Sequence, residues 1–209
     1  MCIENIIRFS SEDYRMLTKH LEQAGEDESF IYSLFTKALT FEDDVYICNK
    51  LIIPDQSQLE DQSRVSIVPS KEYQSICYRL GYELEMSIVD IHTHPFSKDA
   101  TFSSIDTYHG EKNAKYIAEK FPDNSTMGMI VFGKGFDNFQ ARIWNKAKSR
   151  FEPVTRIEVL GSPTLILHDK KLQITENNDV YARHKIIPGW KQGLLEDLKV
   201  FVCGLGGNG

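Results

Sequence analysis

The run Asp90-Ile91-His92-Thr93-His94-Pro95 places the tightest constraint on how this chain can fold. Strand side chains alternate between faces, so His92 and His94 share one face while Ile91 and Thr93 take the other. Pro95 cannot donate to a ladder, and the strand is expected to end there, at a sheet rim where side chains are accessible. Further on, Ser103-Ser104-Ile105-Asp106 has the pattern of a helix start, and a loop can fold Asp106 back onto the two imidazoles. Two neutral imidazoles and a carboxylate make a three-ligand zinc site with its fourth position open, the arrangement of catalytic zinc. Water bound there would have its pKa lowered towards ~7–9, giving hydroxide near neutral pH. Plainer roles exist for the same residues: the histidines can line a solvated strand edge, and Ser103 can simply cap the helix.

Around this segment helical and strand patterns alternate without repeats or low-complexity tracts, which predicts an α/β or α+β fold. Ser10-Ser11-Glu12 caps a helix with Tyr14, Leu17 and Leu21 on one face, stopped by Gly25. Strands are expected over 29–39 and 45–53, then an exposed polar loop over 54–63 and a short strand over 64–68. Pro69-Ser70 opens a helix whose apolar face carries Tyr73, Ile76, Cys77, Leu80 and Leu84. A strand over 87–93 leads into the histidine pair, and the helix starting at Ser103 runs through Tyr108, Ile117 and Phe121 to Pro122. Strands follow over 127–132, 139–144 and 154–159, with irregular strand and loop over 160–179.

Composition narrows the function classes. With 209 residues, 41% of them hydrophobic, the chain can bury a core of one domain plus an appendage. Lys and Arg number 24 against 30 acidic residues, a net charge of -6, which offers no basic field for a nucleic acid. No apolar run of about 18 residues and no signal-peptide pattern is present, so no membrane partner and a cytoplasmic location are expected. Cys2, Cys48, Cys77 and Cys203 are scattered without a C-x-x-C pair, which fits reduced thiols rather than disulfides or a cysteine zinc site.

His92-Thr93-His94-Pro95 followed by Ser103-Ser104-Ile105-Asp106 resembles the JAB/MPN (JAMM) family of zinc isopeptidases and deubiquitinases. The resemblance implies a mixed β-sheet flanked by helices and one zinc ion per chain, held by His92, His94 and Asp106. It implies that Ser103 polarises the scissile carbonyl and that an upstream glutamate is the general acid/base. In the acidic run Glu26-Asp27-Glu28, Glu28 best matches the family's setting at the start of the strand after the first helix. Eleven residues separate His94 from Asp106, one more than is usual in the family. The implied substrate is the C-terminal tail or isopeptide conjugate of a ubiquitin-like protein, with a conjugating-enzyme-like partner. A flexible tail could be held by β-augmentation at a sheet edge near the metal, gripped by the loops over 54–63 and 96–101.

At the other end of the chain, Val200-Phe201-Val202-Cys203 runs into Gly204-Leu205-Gly206-Gly207-Asn208-Gly209, a strand entering a G-x-G-x-x-G turn. With Arg183, Pro188-Gly189-Trp190, Gln192 and Leu195 ahead of it, the segment resembles the opening of a ThiF/MoeB adenylating domain of Rossmann-like fold. Its phosphate-binding candidates are Gly204, Gly206, Gly207 and Gly209, and ATP would be used only in a longer protein. The two resemblances divide the chain into a peptidase domain over 1–160, connecting strands and loops over 161–182, and the start of a ThiF-like domain over 183–209. Such fusions resemble bacterial ubiquitin-like conjugation systems, some of them in antiviral defence. Two other readings compete: a catalytically inactive MPN scaffold, and a metal hydrolase of the amidohydrolase or TatD type, whose barrel would need far more chain after His94.

Overall fold

A computed structural model describes residues 3–38, 40 and 43–169. The glycine-rich segment and the expected ThiF-like start lie outside the described residues, as do Cys2 and Cys203. Among the described residues the fold is α+β and dominated by sheet, with three α-helices. Its strands are β1 (Asn5–Ser10), β2 (Phe30–Ala38), β3 (Asp44–Ile52), β4 (Leu59–Ser63), β5 (Ser66–Pro69), β6 (Ser87–His94), β7 (Met127–Gly133), β8 (Phe139–Asn145), β9 (Arg150–Leu160) and β10 (Leu165–His168). The helices are α1 (Ser11–Gln23), α2 (Lys71–Glu83) and α3 (Ser104–Lys120).

Seven strands follow one another in the order β1-β3-β2-β6-β7-β8-β9, and β1 also pairs with β9, so the sheet closes into a barrel. Pairing is parallel at β1–β3, β1–β9 and β6–β7 and antiparallel elsewhere in the barrel. This mixed pairing departs from the all-parallel (β/α)₈ barrel that the amidohydrolase and TatD reading requires. Beyond Leu160, β10 pairs antiparallel with β9 and extends the same sheet.

Period-two alternation sorts the apolar residues into two cores. Ile7, Phe9, Ile31, Phe35, Val89, Ile91, Ile130, Phe132, Ala141 and Ile157 fill the barrel interior, joined by Leu17 and Leu21 of α1. Phe30, Tyr32, Leu34, Ile88, Met127, Met129 and Trp144 face outward and are covered by Tyr73 and Cys77 of α2 and Ala114 and Ile117 of α3. Each helix starts on a serine whose hydroxyl oxygen accepts a backbone N–H: Ser10 for α1, Ser70 for α2 and Ser103 for α3. Buried Cys48 and Cys77 are free thiols, each pushed up to about 12 by burial.

Two expectations need correction, and one strand went unread. The stretch over 54–63 is not an open loop: Asp55 and Gln58 form a capping box around a 3₁₀ turn, and β4 then pairs with β5. Leu84 does not belong to the buried face of α2 but ends the helix half exposed, where Gly81 takes the buried position instead. β1, unassigned from the sequence, closes the barrel.

Candidate metal centre

The rim of the barrel at the end of β6 gathers the residues singled out from the sequence. His92 and His94 lie on the outward face with Ile88, while Val89 and Ile91 point into the barrel. Both rings are almost fully buried, and their centroids are 5.2 Å apart. Asp106 arrives from the first turn of α3: its Oδ2 stands 3.7 Å from Nε2 of His92 and 3.7 Å from Nε2 of His94. One ligand atom from each of the three residues can be drawn so that all lie within 4.8 Å of one another.

The helix cap and the candidate ligand are one device. The Ser103 N–H donates to Asp106 Oδ2 at 2.6 Å, and the Asp106 N–H donates to Ser103 Oγ at 3.1 Å. The oxygen that faces both histidines is therefore held by the cap that starts the helix. Ser103 keeps its own hydroxyl hydrogen to donate elsewhere, so capping and polarising a carbonyl are compatible roles for it.

The strand before the site brings in Glu28. Ser29 N–H donates to Thr93 Oγ1 and Thr93 N–H donates to the Ser29 carbonyl, both at 3.0 Å, tying the entry of β2 to the exit of β6. Glu28 N–H donates to the Ser63 carbonyl at 2.8 Å, and Gln62 Nε2 donates to the Glu28 carbonyl at 3.0 Å. Thus fixed, the Glu28 carboxylate lies 3.7 Å from Nε2 of His94 and is only 7% exposed. Glu26 instead faces solvent and pairs with Arg64 at 3.6 Å, and Asp27 is exposed.

Asp90, in the motif strand but given no role from the sequence, places Oδ1 3.1 Å from Nδ1 of His92. A carboxylate on the far ring nitrogen fixes the orientation of a metal-binding imidazole and leaves Nε2 as the donor atom. The signal was visible, since Asp90 precedes His92 by one strand period. Phe96 stacks on His94 with centroids 5.4 Å apart, and is itself half exposed at the mouth of the site.

Burial opposes charge on His92, but the carboxylates of Asp106 and Asp90 outweigh it and lift the imidazole to about 10. Burial and the neighbouring His92 charge lower His94. Burial works to raise Asp106, yet His92 and the Ser103 bonds hold it well below the usual carboxylate range. Glu28 is raised to about 7 by burial, with His92 pulling it down and Asp106 pushing it up.

The donor set suits a zinc ion. His92 Nε2 is buried without a hydrogen-bond partner, which leaves this nitrogen available to a metal ion. Two imidazoles and a carboxylate with an oriented ring supply the ligand types and number of an open zinc site.

No family model and no curated protein matches the sequence. Among solved structures the chain is similar to protein DSY2949 from Desulfitobacterium hafniense, determined in solution, at 12% identity and a TM-score of 0.42. The match covers 70% of this chain and 88% of that one.

Proposed function

We propose that the chain is a zinc-dependent peptidase or isopeptidase of the JAB/MPN type, acting on the C-terminal tail or an isopeptide conjugate of a ubiquitin-like protein. The observation that carries the reading is the convergence of His92, His94 and Asp106 on one point with the Glu28 carboxylate beside it. The motif resemblance supplies the substrate class and the conjugating-enzyme-like partner.

Zinc held by His92, His94 and Asp106 would supply Lewis-acid polarisation of the scissile carbonyl and a lowered pKa for water. Glu28 accepts the proton released as water attacks the carbonyl carbon, and returns it to the leaving amine nitrogen. A carboxyl raised by burial to about 7 is matched to taking and giving a proton near neutral pH. The Ser103 hydroxyl donates to the carbonyl oxygen as negative charge builds there. Closure of the barrel gives β6 a neighbour on each side, so a substrate strand cannot pair with it. The β4–β5 hairpin, bonded to Glu28 through Gln62 and Ser63, offers strand edges for β-augmentation instead.

The test is to incubate the chain with a ubiquitin-like protein encoded beside its gene and carrying a C-terminal fusion, with and without a zinc chelator. Cleavage after the tail, abolished by the chelator, is the expected result. An intact fusion alongside hydrolysis of a phosphodiester or a small amide would overturn the reading.

A further inference from the structure

Arg142 on β8 is the one guanidinium among the described residues with a buried Nε that has no hydrogen-bond partner. Its place follows from register: Asp90 on β6 pairs with Met129 on β7, and Met129 pairs with Arg142 on β8. All three therefore share the outward face beneath α3. The guanidinium carbon lies 4.2 Å from the centroid of the Phe102 ring and 4.5 Å from that of Phe151, a cation held between two aromatic faces. Nη1 and Nη2 both donate to Thr107 Oγ1 at 3.4 Å. Phe102 immediately precedes Ser103 and Thr107 immediately follows Asp106. Arg142 thus touches the chain on both sides of the cap that carries the candidate ligand. Gln140, one strand period away, reinforces the hold by accepting the Phe102 N–H on Oε1 at 3.0 Å. Phe102 in turn lies 6.1 Å from the His92 ring. Burial works against the charge on Arg142, and the carboxylates of Asp106 and Asp90 support it.

We propose that Arg142 is a positioning residue, which clamps the start of α3 between Phe102 and Thr107 and so holds the Asp106 carboxylate opposite His92 and His94. The proposal rests on the zinc reading of that site. Lysine could not replace this group, because it has neither the planar face for two rings nor the fork that reaches Thr107.

The experiment measures zinc affinity by chelator competition, and melting of the metal-free protein, for wild type, Arg142→Met, Arg142→Lys and Thr107→Val. Arg142→Met fills the slot with a flexible apolar chain, so its metal-free melting temperature is expected within about 4 °C of wild type. Its zinc Kd is expected to rise about 10–100-fold, as for loss of a group that orients a metal ligand. Arg142→Lys is expected to bind as weakly as Arg142→Met, and Thr107→Val to shift the Kd in the same direction. Wild-type affinity in Arg142→Met, full recovery in Arg142→Lys, or a metal-free melting temperature that falls in step with affinity would overturn the clamp. Wild type that binds no zinc would remove the metal reading itself and the clamp with it, whereas tight zinc unaffected by these substitutions rejects the clamp alone.

Discussion

Oδ1 of Asp90 stands 3.1 Å from Nδ1 of His92, on the opposite side of the ring from the nitrogen that faces Asp106. The pair ties ring orientation to the metal-binding atom, so Asp90→Asn is expected to keep the fold while zinc affinity falls about 10–100-fold. Chelator competition beside circular dichroism checks this. Unchanged affinity would leave Asp90 without a part in the site.

Glu28→Gln is expected to retain zinc and lose turnover by about 10²–10⁴-fold, because the carboxylate lies beside the ligands and moves the proton. Ser103→Ala combines two losses: about 1 kcal/mol of stability from the missing cap and about 10²-fold in turnover from the missing donor. Parallel measurement of zinc content, melting and cleavage separates these effects. Full cleavage by Glu28→Gln would move the base elsewhere.

Gly133 is where the loop between His94 and Asp106 meets the barrel. A Cβ there would stand 2.9 Å from the Lys98 carbonyl carbon and closer still to its oxygen, and this neighbour is backbone that cannot rotate away. Lys134 N–H donates to the Ser97 carbonyl at 2.7 Å and Asn138 Nδ2 to the Lys98 carbonyl at 2.9 Å, so the loop has no slack. Gly133→Ala is expected to displace the loop and lower both melting temperature and zinc affinity. A variant with wild-type values for both would show that the loop adapts freely.

The histidine strand and the helix after it were legible because their signals are local: period two in β6, a proline at its end, and a serine cap on α3. The 3.7 Å approach of Glu28 to His94 was not legible from spacing, since it depends on the pairing of β2 with β6 and on the β4–β5 hairpin. That hairpin hid behind its composition, Leu-Glu-Asp-Gln-Ser, in which no apolar alternation marks β4 as a strand. β1 escaped because a parallel strand between β3 and β9 is defined by partners distant in the chain, not by a neighbouring turn. Arg142 carried no sequence signal at all, because its place beside the cap follows only from the registers of β6, β7 and β8.

Away from the site, Glu158 accepts from Arg8 Nε at 2.6 Å and from Arg156 Nε at 2.8 Å. Burial raises its pKa, but the two arginines outweigh that and hold it below the ordinary glutamate value. A carboxylate with a depressed native pKa stabilises the fold above its unfolded pKa of about 4.3, and the contribution is lost as pH falls through the native value. Glu158→Gln is therefore expected to melt lower than wild type at pH 7, with the gap closing under acid. A gap constant from pH 7 to about pH 2 would contradict the ion-pair origin.

Zinc content tests the metal centre itself. Elemental analysis of the chain purified without added metal is expected to find about one zinc per chain in wild type, and close to none in the folded double variant His92→Ala/His94→Ala, since these residues supply two of the three ligands. Wild type devoid of zinc, or a double variant that carries as much zinc as wild type, would rule out zinc at His92, His94 and Asp106.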